Sequence, residues 1–185
     1  MLQNISKKAA DLGHKDAMFE YGKMLLNGDE IEKDTNEGTK YIKMAADHGK
    51  IQAMVFYYKL FEKSLDYEDI EEGRKYIKMA ADLGDCEALM LYGQTLDLLN
   101  ILEDDKTEVA QYYKKAGDLG DEDGMNYYAK MLDDGDEITI NKEEAARYFK
   151  MAADLGVQSA MHNYALKLER GEGIRIDQKE SIKYY

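Results

Sequence analysis

The chain has 185 residues, 44% of them hydrophobic, with no proline or tryptophan, and 25 Lys and Arg against 38 Asp and Glu leave a net charge of −13. That balance argues against non-specific attraction to nucleic acid or anionic lipid and favours basic or neutral partners. No apolar run approaches the roughly 20 residues of a membrane helix, the opening Met1-Leu2-Gln3-Asn4 shows no targeting pattern, and one cysteine, Cys86, excludes an internal disulfide framework, so a soluble chain of a cytoplasmic, reducing compartment is expected.

Residues 1–13 read as one helix that ends in Ala9-Ala10-Asp11-Leu12-Gly13, and the phrase then returns at Ala45 to Gly49, Ala80 to Gly84, Ala116 to Gly120 and Ala152 to Gly156. The closing glycines are 36, 35, 36 and 36 residues apart. A period of this size marks one supersecondary unit, which buries its apolar face only by stacking on copies of itself. Two helical stripes alternate within each period. The first runs Ala17, Met18, Tyr21, Gly22, Leu25 and returns as Ala53, Met54, Tyr57, Tyr58, Phe61; Ala88, Leu89, Tyr92, Gly93, Leu96; Gly124, Met125, Tyr128, Ala129, Leu132; and Ala160, Met161, Tyr164, Ala165, Leu168. Only Tyr58 interrupts its column of small residues. The second runs Tyr41, Ile42, Ala45; Tyr76, Ile77, Ala80; Tyr112, Tyr113, Ala116; and Tyr148, Phe149, Ala152, each stopped one turn later by a glycine suited to a left-handed conformation.

Each second helix opens with a capping box, in which an acceptor side chain and a glutamate three residues on satisfy orphan amides reciprocally. The pairs are Asp34 with Glu37, Asp69 with Glu72, Asp105 with Glu108, Asn141 with Glu144 and Asp177 with Glu180. Loops beginning Gly28-Asp29-Glu30-Ile31, Gly135-Asp136-Glu137-Ile138 and Gly171-Glu172-Gly173-Ile174 join the helices, with the isoleucine as a loop anchor. The loops 63–68 and 99–104 lack that form. The predicted architecture is all-α, about eleven helices in antiparallel pairs at a period of 36. One array fills residues 1–185: a half repeat at 1–13, full repeats at 14–49, 50–84, 85–120 and 121–156, and a truncated repeat at 157–185. Both ends fall inside a repeat, so a segment of a longer array is expected, and the open ends predict concentration-dependent self-association.

Ala-x-x-x-Tyr-Gly in Ala17 to Gly22 and Ala88 to Gly93, Gly-x-Gly-Ile in Gly171 to Ile174, and Tyr-x-Lys-x-Ala-Ala-Asp-x-Gly in Tyr41 to Gly49 and Tyr76 to Gly84 together resemble the Sel-one-like repeat family, relatives of tetratricopeptide repeats. The resemblance covers essentially the whole chain. It implies a right-handed α-solenoid of antiparallel helix pairs, no catalysis, and use as an adaptor that assembles complexes. The family's usual loop proline is absent throughout, and Tyr58 with the irregular loop 63–68 departs from the pattern, which puts the curvature near residues 50–70 in question.

Catalytic and metal chemistry finds little support. Asp133 to Glu144 has the end residues of a calcium loop, but its sixth position is Ile138 where glycine is needed. His14, His48 and His162 stand in different repeats without a second ligand at metal spacing. Cys86 lies in the first turn of a helix with no recognisable base beside it. The chain's 11 methionines and 15 tyrosines fall mostly on the repeating stripes and read as core. No catalytic residue, metal site or cofactor is assigned.

Opposite the buried stripe, the first helices present rungs. These carry Phe19 and Lys23; Val55, Phe56 and Lys59; Met90, Leu91 and Gln94; Tyr127 and Lys130; and in the last copy His162 and Asn163. If these helices line the concave face, as the resemblance implies, Val55, Phe56, Met90, Leu91 and Tyr127 either form an apolar patch for a partner or are buried between adjacent rungs. The outward row of the second helices, with Lys40, Lys43, Lys75, Lys78, Lys114, Arg147 and Lys150 beside Asp47, Asp82, Asp118 and Asp154, reads as solvated surface. The expected function is a non-enzymatic scaffold that binds a peptide or helix of a partner protein on the concave face. The alternative is a structural spacer, or an array assembling end to end within a larger signalling protein.

Overall fold

The computed structural model of the chain describes residues 2–29, 31–99, 105–135 and 138–185. Every regular element among them is a helix: α1 (Leu2–Asp11), α2 (Lys15–Asn27), α3 (Thr35–Asp47), α4 (Ile51–Phe61), α5 (Tyr67–Asp82), α6 (Cys86–Leu99), α7 (Asp105–Asp118), α8 (Glu122–Asp134), α9 (Lys142–Asp154), α10 (Gln158–Arg170) and α11 (Gln178–Ser181). They form two compact units, Met1–Ala88 and Leu89–Tyr185, and the boundary falls within α6. In the first unit each helix packs on its successor from α1 to α5, and in the second from α7 to α11.

Small residues let the paired helices approach closely. A Cβ added to Gly22 of α2 would lie 3.0 Å from the Gly38 carbonyl oxygen of α3, and one added to Gly38 would lie 3.0 Å from the Gly22 oxygen. Behind this crossing sit Met18, Tyr21, Leu25, Tyr41, Ile42 and Ala45, all buried. In α4 the small position is Tyr58, and its partner Gly73 in α5 gives way, so that its added Cβ would meet Tyr58 Cα at 3.5 Å.

The regular turns close on a left-handed glycine. Gly28 has φ 80° and donates its N–H to Met24 O, which turns the chain back over the end of α2. The loop anchors Ile31, Ile138 and Ile174 are half-buried.

Three of the predicted caps form. Asp34, Asn141 and Asp177 accept from the backbone N–H of Glu37, Glu144 and Glu180 at 2.9, 3.0 and 2.9 Å. The reciprocal half of the box needs correction. The cap residues' own N–H groups donate 3.0 Å to the carbonyls of Leu25, Leu132 and Leu168 in the preceding first helix. Glu144 is thereby released to accept from Tyr128 at 3.3 Å, and Glu72, within α5, accepts from Tyr57 at 2.6 Å.

The cap predicted at Asp69 is also corrected. α5 starts earlier, at Tyr67, because Asp66 accepts from the Glu68 N–H at 2.9 Å. Asp69 instead accepts from the Ser64 hydroxyl at 3.1 Å. The Asp105 side chain and residues 100–104 lie outside the described residues.

Candidate interaction faces

The second-helix aspartates are exposed, as the sequence reading expects, but they are also engaged by tyrosines. Tyr41 donates to Asp11 at 2.6 Å, Tyr148 to Asp118 at 2.5 Å and Tyr184 to Asp154 at 2.7 Å, and Tyr76 donates to Asp47. Each hydroxyl thus reaches the aspartate that closes the preceding second-type helix. The recurrence of Tyr 29 or 30 residues after Asp was the available signal.

The same tyrosines meet a first-helix tyrosine edge-on. Ring centroids lie 4.9 Å apart for Tyr21–Tyr41, 5.0 Å for Tyr57–Tyr76, 4.9 Å for Tyr92–Tyr112, 4.8 Å for Tyr128–Tyr148 and 4.9 Å for Tyr164–Tyr184. Such pairs add about 0.5–1.5 kcal/mol beyond area burial. Burial, reinforced by the facing carboxylates, pushes the hydroxyls of Tyr41, Tyr57 and Tyr76 well above the usual tyrosine range. Burial likewise moves Tyr128 and Tyr164 up to about 12. These hydroxyls therefore stay protonated at neutral pH and are able to donate. On the acceptor side, burial alone would raise Asp118, but the bonds from Lys114 and Tyr148 outweigh it and hold the carboxyl below its ordinary value.

The first-helix residues expected to bind a partner divide by exposure. Phe19, Val55 and Met90 are buried, Lys23, Phe56, Leu91 and Gln94 are half-buried, and Lys59, Lys130 and Tyr127 are exposed, Tyr127 by 38%. Val55 and Met90 therefore do not belong to an open apolar patch. In the first unit the reason is lateral packing of α2 on α4. Phe19 meets Phe56 edge-on at 5.7 Å, and Lys50 pairs with Asp16 at 2.5 Å. The apolar stripe of α6 is wide enough to take in Met90 as well.

What stays open is held in position. Lys23 pairs with Glu20 at 2.9 Å and stands 4.7 Å from the centroid of the Phe19 ring. Lys59 bridges from α4 to Glu87. In the second unit Tyr127 stacks on Tyr113 at 5.1 Å, and Asn126 Nδ2 donates to Ser159 Oγ at 3.0 Å, tying α8 to α10. Lys130, one turn beyond Tyr127, has no partner among the described residues.

A family model described as the Sel1 repeat matches residues 15–50, 52–85, 110–121, 122–157 and 158–185. The chain belongs to the Sel1 repeat family. Solved structures agree on the fold. A Sel1 repeat protein of Oxalobacter formigenes is similar at 21% identity with a TM-score of 0.83, over 98% of this chain and 53% of that one. A protective antigen of uropathogenic Escherichia coli with an SLR fold is similar at 18% identity with a TM-score of 0.75, over 98% of this chain and 39% of that one. An immunity protein of Pseudomonas aeruginosa is similar at 19% identity with a TM-score of 0.53, over 98% of this chain and 69% of that one. The chain thus spans 39% and 53% of the length of the first two. The curated proteins yield no match.

Sel1 repeat proteins are generally non-enzymatic and commonly serve as protein-interaction scaffolds. Asp133, the first residue of the calcium-like loop, accepts from Lys142 at 2.8 Å and pairs with Lys167, whose side chain is buried and also reaches Glu172 at 2.8 Å. Burial alone would raise Asp133, but the two ammonium groups hold it below the ordinary carboxylate range. Among the described residues no group of three His, Cys, Asp or Glu is placed to hold a metal ion. Among them, too, no helix is long and apolar enough to cross a membrane.

Proposed function

We propose that this Sel1 array is a non-enzymatic protein-interaction scaffold that holds a peptide or helix of a partner protein on the first-helix face of its units. The observation that carries the reading is the state of that face. Phe56 in the first unit, and Leu91 and Tyr127 in the second, remain partly open on first-helix faces whose polar neighbours are fixed by contacts within each unit, Lys50 to Asp16 in the first and Asn126 to Ser159 in the second. A rigid face of apolar anchors among polar groups loses little entropy on binding. Lys130 supplies an uncommitted cation, while Lys23 and Lys59 frame the Phe19 and Phe56 pair. The unit boundaries at 14–49, 50–84, 85–120, 121–156 and 157–185, and a reducing intracellular compartment consistent with the lone Cys86, belong to the same proposal.

The test is selection of peptides from a random display library on the full chain, followed by hydrogen exchange on the bound complexes. Bound peptide should slow exchange on α2, α4, α6 or α8. Phe56→Asp or Leu91→Asp should abolish binding with unchanged helicity. A selection in which no enriched peptide protects a first helix and is lost on these substitutions would refute the reading. Exposure of Ile5, Ile182 and Tyr185 supports a second reading, self-association. A strict monomer by sedimentation at about 100 μM, in the weak-interface range, would remove it.

A further inference from the structure

We propose that the α4–α5 hairpin carries a second docking element, separate from the first-helix faces, which fits a partner protein surface bearing Lys and Arg around an apolar recess. The element is the loop and extra turn around Leu65 and Tyr67. Leu65 is fully exposed and Tyr67 is 71% exposed, two residues apart on one loop.

The exposure has a structural cause. In the register that aligns Tyr41 with Tyr76, Gly28 corresponds to Lys63 and Ile31 to Asp66. The loop therefore has neither the left-handed glycine that folds the chain back nor the apolar anchor that seats it. α4 ends on Glu62 in right-handed helical geometry, φ −56° and ψ −23°. α5 then begins a turn early and reaches 16 residues where α3 and α9 have 13. Leu65 and Tyr67 are left on the outside of that added turn.

The loop is nevertheless ordered by its own bonds. Ser64 Oγ accepts from the Asp66 N–H and donates to Asp69, both at 3.1 Å, while Asp66 caps Glu68 at 2.9 Å. A preformed apolar pair costs a partner less ordering than a floppy one.

Charge selects the partner. Residues 62–72, Glu-Lys-Ser-Leu-Asp-Tyr-Glu-Asp-Ile-Glu-Glu, hold one lysine against six carboxylates, a local net of −5 out of the chain's −13. Glu71 is paired with Arg74 and Glu72 with Lys43, but Glu68 has no side-chain partner among the described residues. Such a rim repels anionic lipid and nucleic acid. A desolvated apolar centre inside a ring of opposite charge is the usual layout of an interaction hot spot, and here the complementary ring is cationic.

The experiment uses the full chain and peptides selected on it from a random display library. A supporting result is a class of enriched peptides that combine net positive charge with aromatic or aliphatic residues. Their affinity should fall about tenfold with Leu65→Ser and Tyr67→Ser together, as expected for loss of an apolar anchor. The salt dependence of their affinity should flatten with Glu62→Gln and Glu68→Gln. Both pairs of substitutions are at exposed positions, and circular dichroism checks that the helices persist. Phe56→Asp should leave this class unaffected. A selection in which every enriched peptide is neutral or acidic, or in which the basic class binds the Leu65 and Tyr67 variant as tightly as the parent, would overturn the proposal. A basic class that is lost on Phe56→Asp but kept by the Leu65 and Tyr67 variant would overturn it too, while supporting the first-helix reading.

Discussion

The hairpins α8–α9 and α4–α5 join the same two kinds of helix by different means. In α8–α9 a left-handed Gly135 ends the first helix, Ile138 is half-buried in the loop, and Asn141 caps a 13-residue second helix. In α4–α5 the glycine and the isoleucine are missing, Asp66 takes over the cap, and the second helix is 16 residues long. Yet Tyr128–Tyr148 and Tyr57–Tyr76 meet at 4.8 and 5.0 Å, and both second-helix tyrosines reach an aspartate one repeat back. Loop closure and helix pairing are therefore separable: turn chemistry shapes the edge, and side-chain packing sets the register.

The largest effect expected to separate the regions is at Gly173, next to the regular hairpin. An added Cβ would lie 2.0 Å from Lys142 O and 2.6 Å from Glu143 N, and φ is 73°. Neither backbone can yield cheaply, so Gly173→Ala should cost about 3 kcal/mol or more. Leu65→Ser, in the irregular loop, should stay within about 0.5 kcal/mol. Urea and thermal unfolding followed by circular dichroism measure both, and equal losses would break the distinction.

Acid comes next. Asp133 and Asp118 in the second unit are held below the ordinary carboxylate range by bonds to Lys142 with Lys167, and to Lys114 with Tyr148, against the upward pull of burial. Glu72 in the first unit is held down by Lys43 and then Tyr57. A carboxyl with a lowered folded pKa stabilises fully above its unfolded value, about 4, and that contribution is lost as pH falls through the folded value. Melting temperature should therefore be flat above that range and fall below it. Asp133→Asn should flatten the fall; an unchanged pH profile would show that the Asp133 cluster contributes nothing.

Tyr148→Phe keeps the edge-on ring pair and removes the hydroxyl's bonds to Asp118 and Lys114, so it should cost about 1 kcal/mol. Tyr76→Phe should cost about the same, since the ladder is indifferent to the loop before it. A clear inequality in chemical denaturation would tie the ladder to loop type.

The smallest effect sharpens the comparison at the caps. Asn141→Ala should lose about 1 kcal/mol. Asp66→Ala should lose less, because Asp69 stands in the regular cap register three residues on and can take over with a shorter α5. Backbone NMR should then show residues 67–69 leaving the helix. Retention of the full 16-residue helix in that variant would disprove the substitution of caps.

Much of the fold was legible because it is built locally. The apolar stripes, the stop glycines and the caps at Asp34, Asn141 and Asp177 act within one or two helical turns, and their spacing in the chain is their spacing in space. The cap at Asp69 was misread for an equally local reason: Asp66 competes for the same helix start, and both residues are good caps. The proposed interaction face was only half legible. Helical periodicity places Val55 and Phe56 side by side on a rung, but it cannot say which one a neighbouring helix covers.

The sequence by itself determined the helical repeat, its register of 35 or 36 residues, the paired-helix class and the acidic character, because each depends on residue type at fixed intervals. Tertiary structure alone decided that the aspartates are acceptors for tyrosines 29 or 30 residues later, that Val55 and Met90 are buried while Tyr127 is not, and that Leu65 and Tyr67 stand outside. Those outcomes depend on how far one helix lies from the next, and that distance is set by the packed side chains of both.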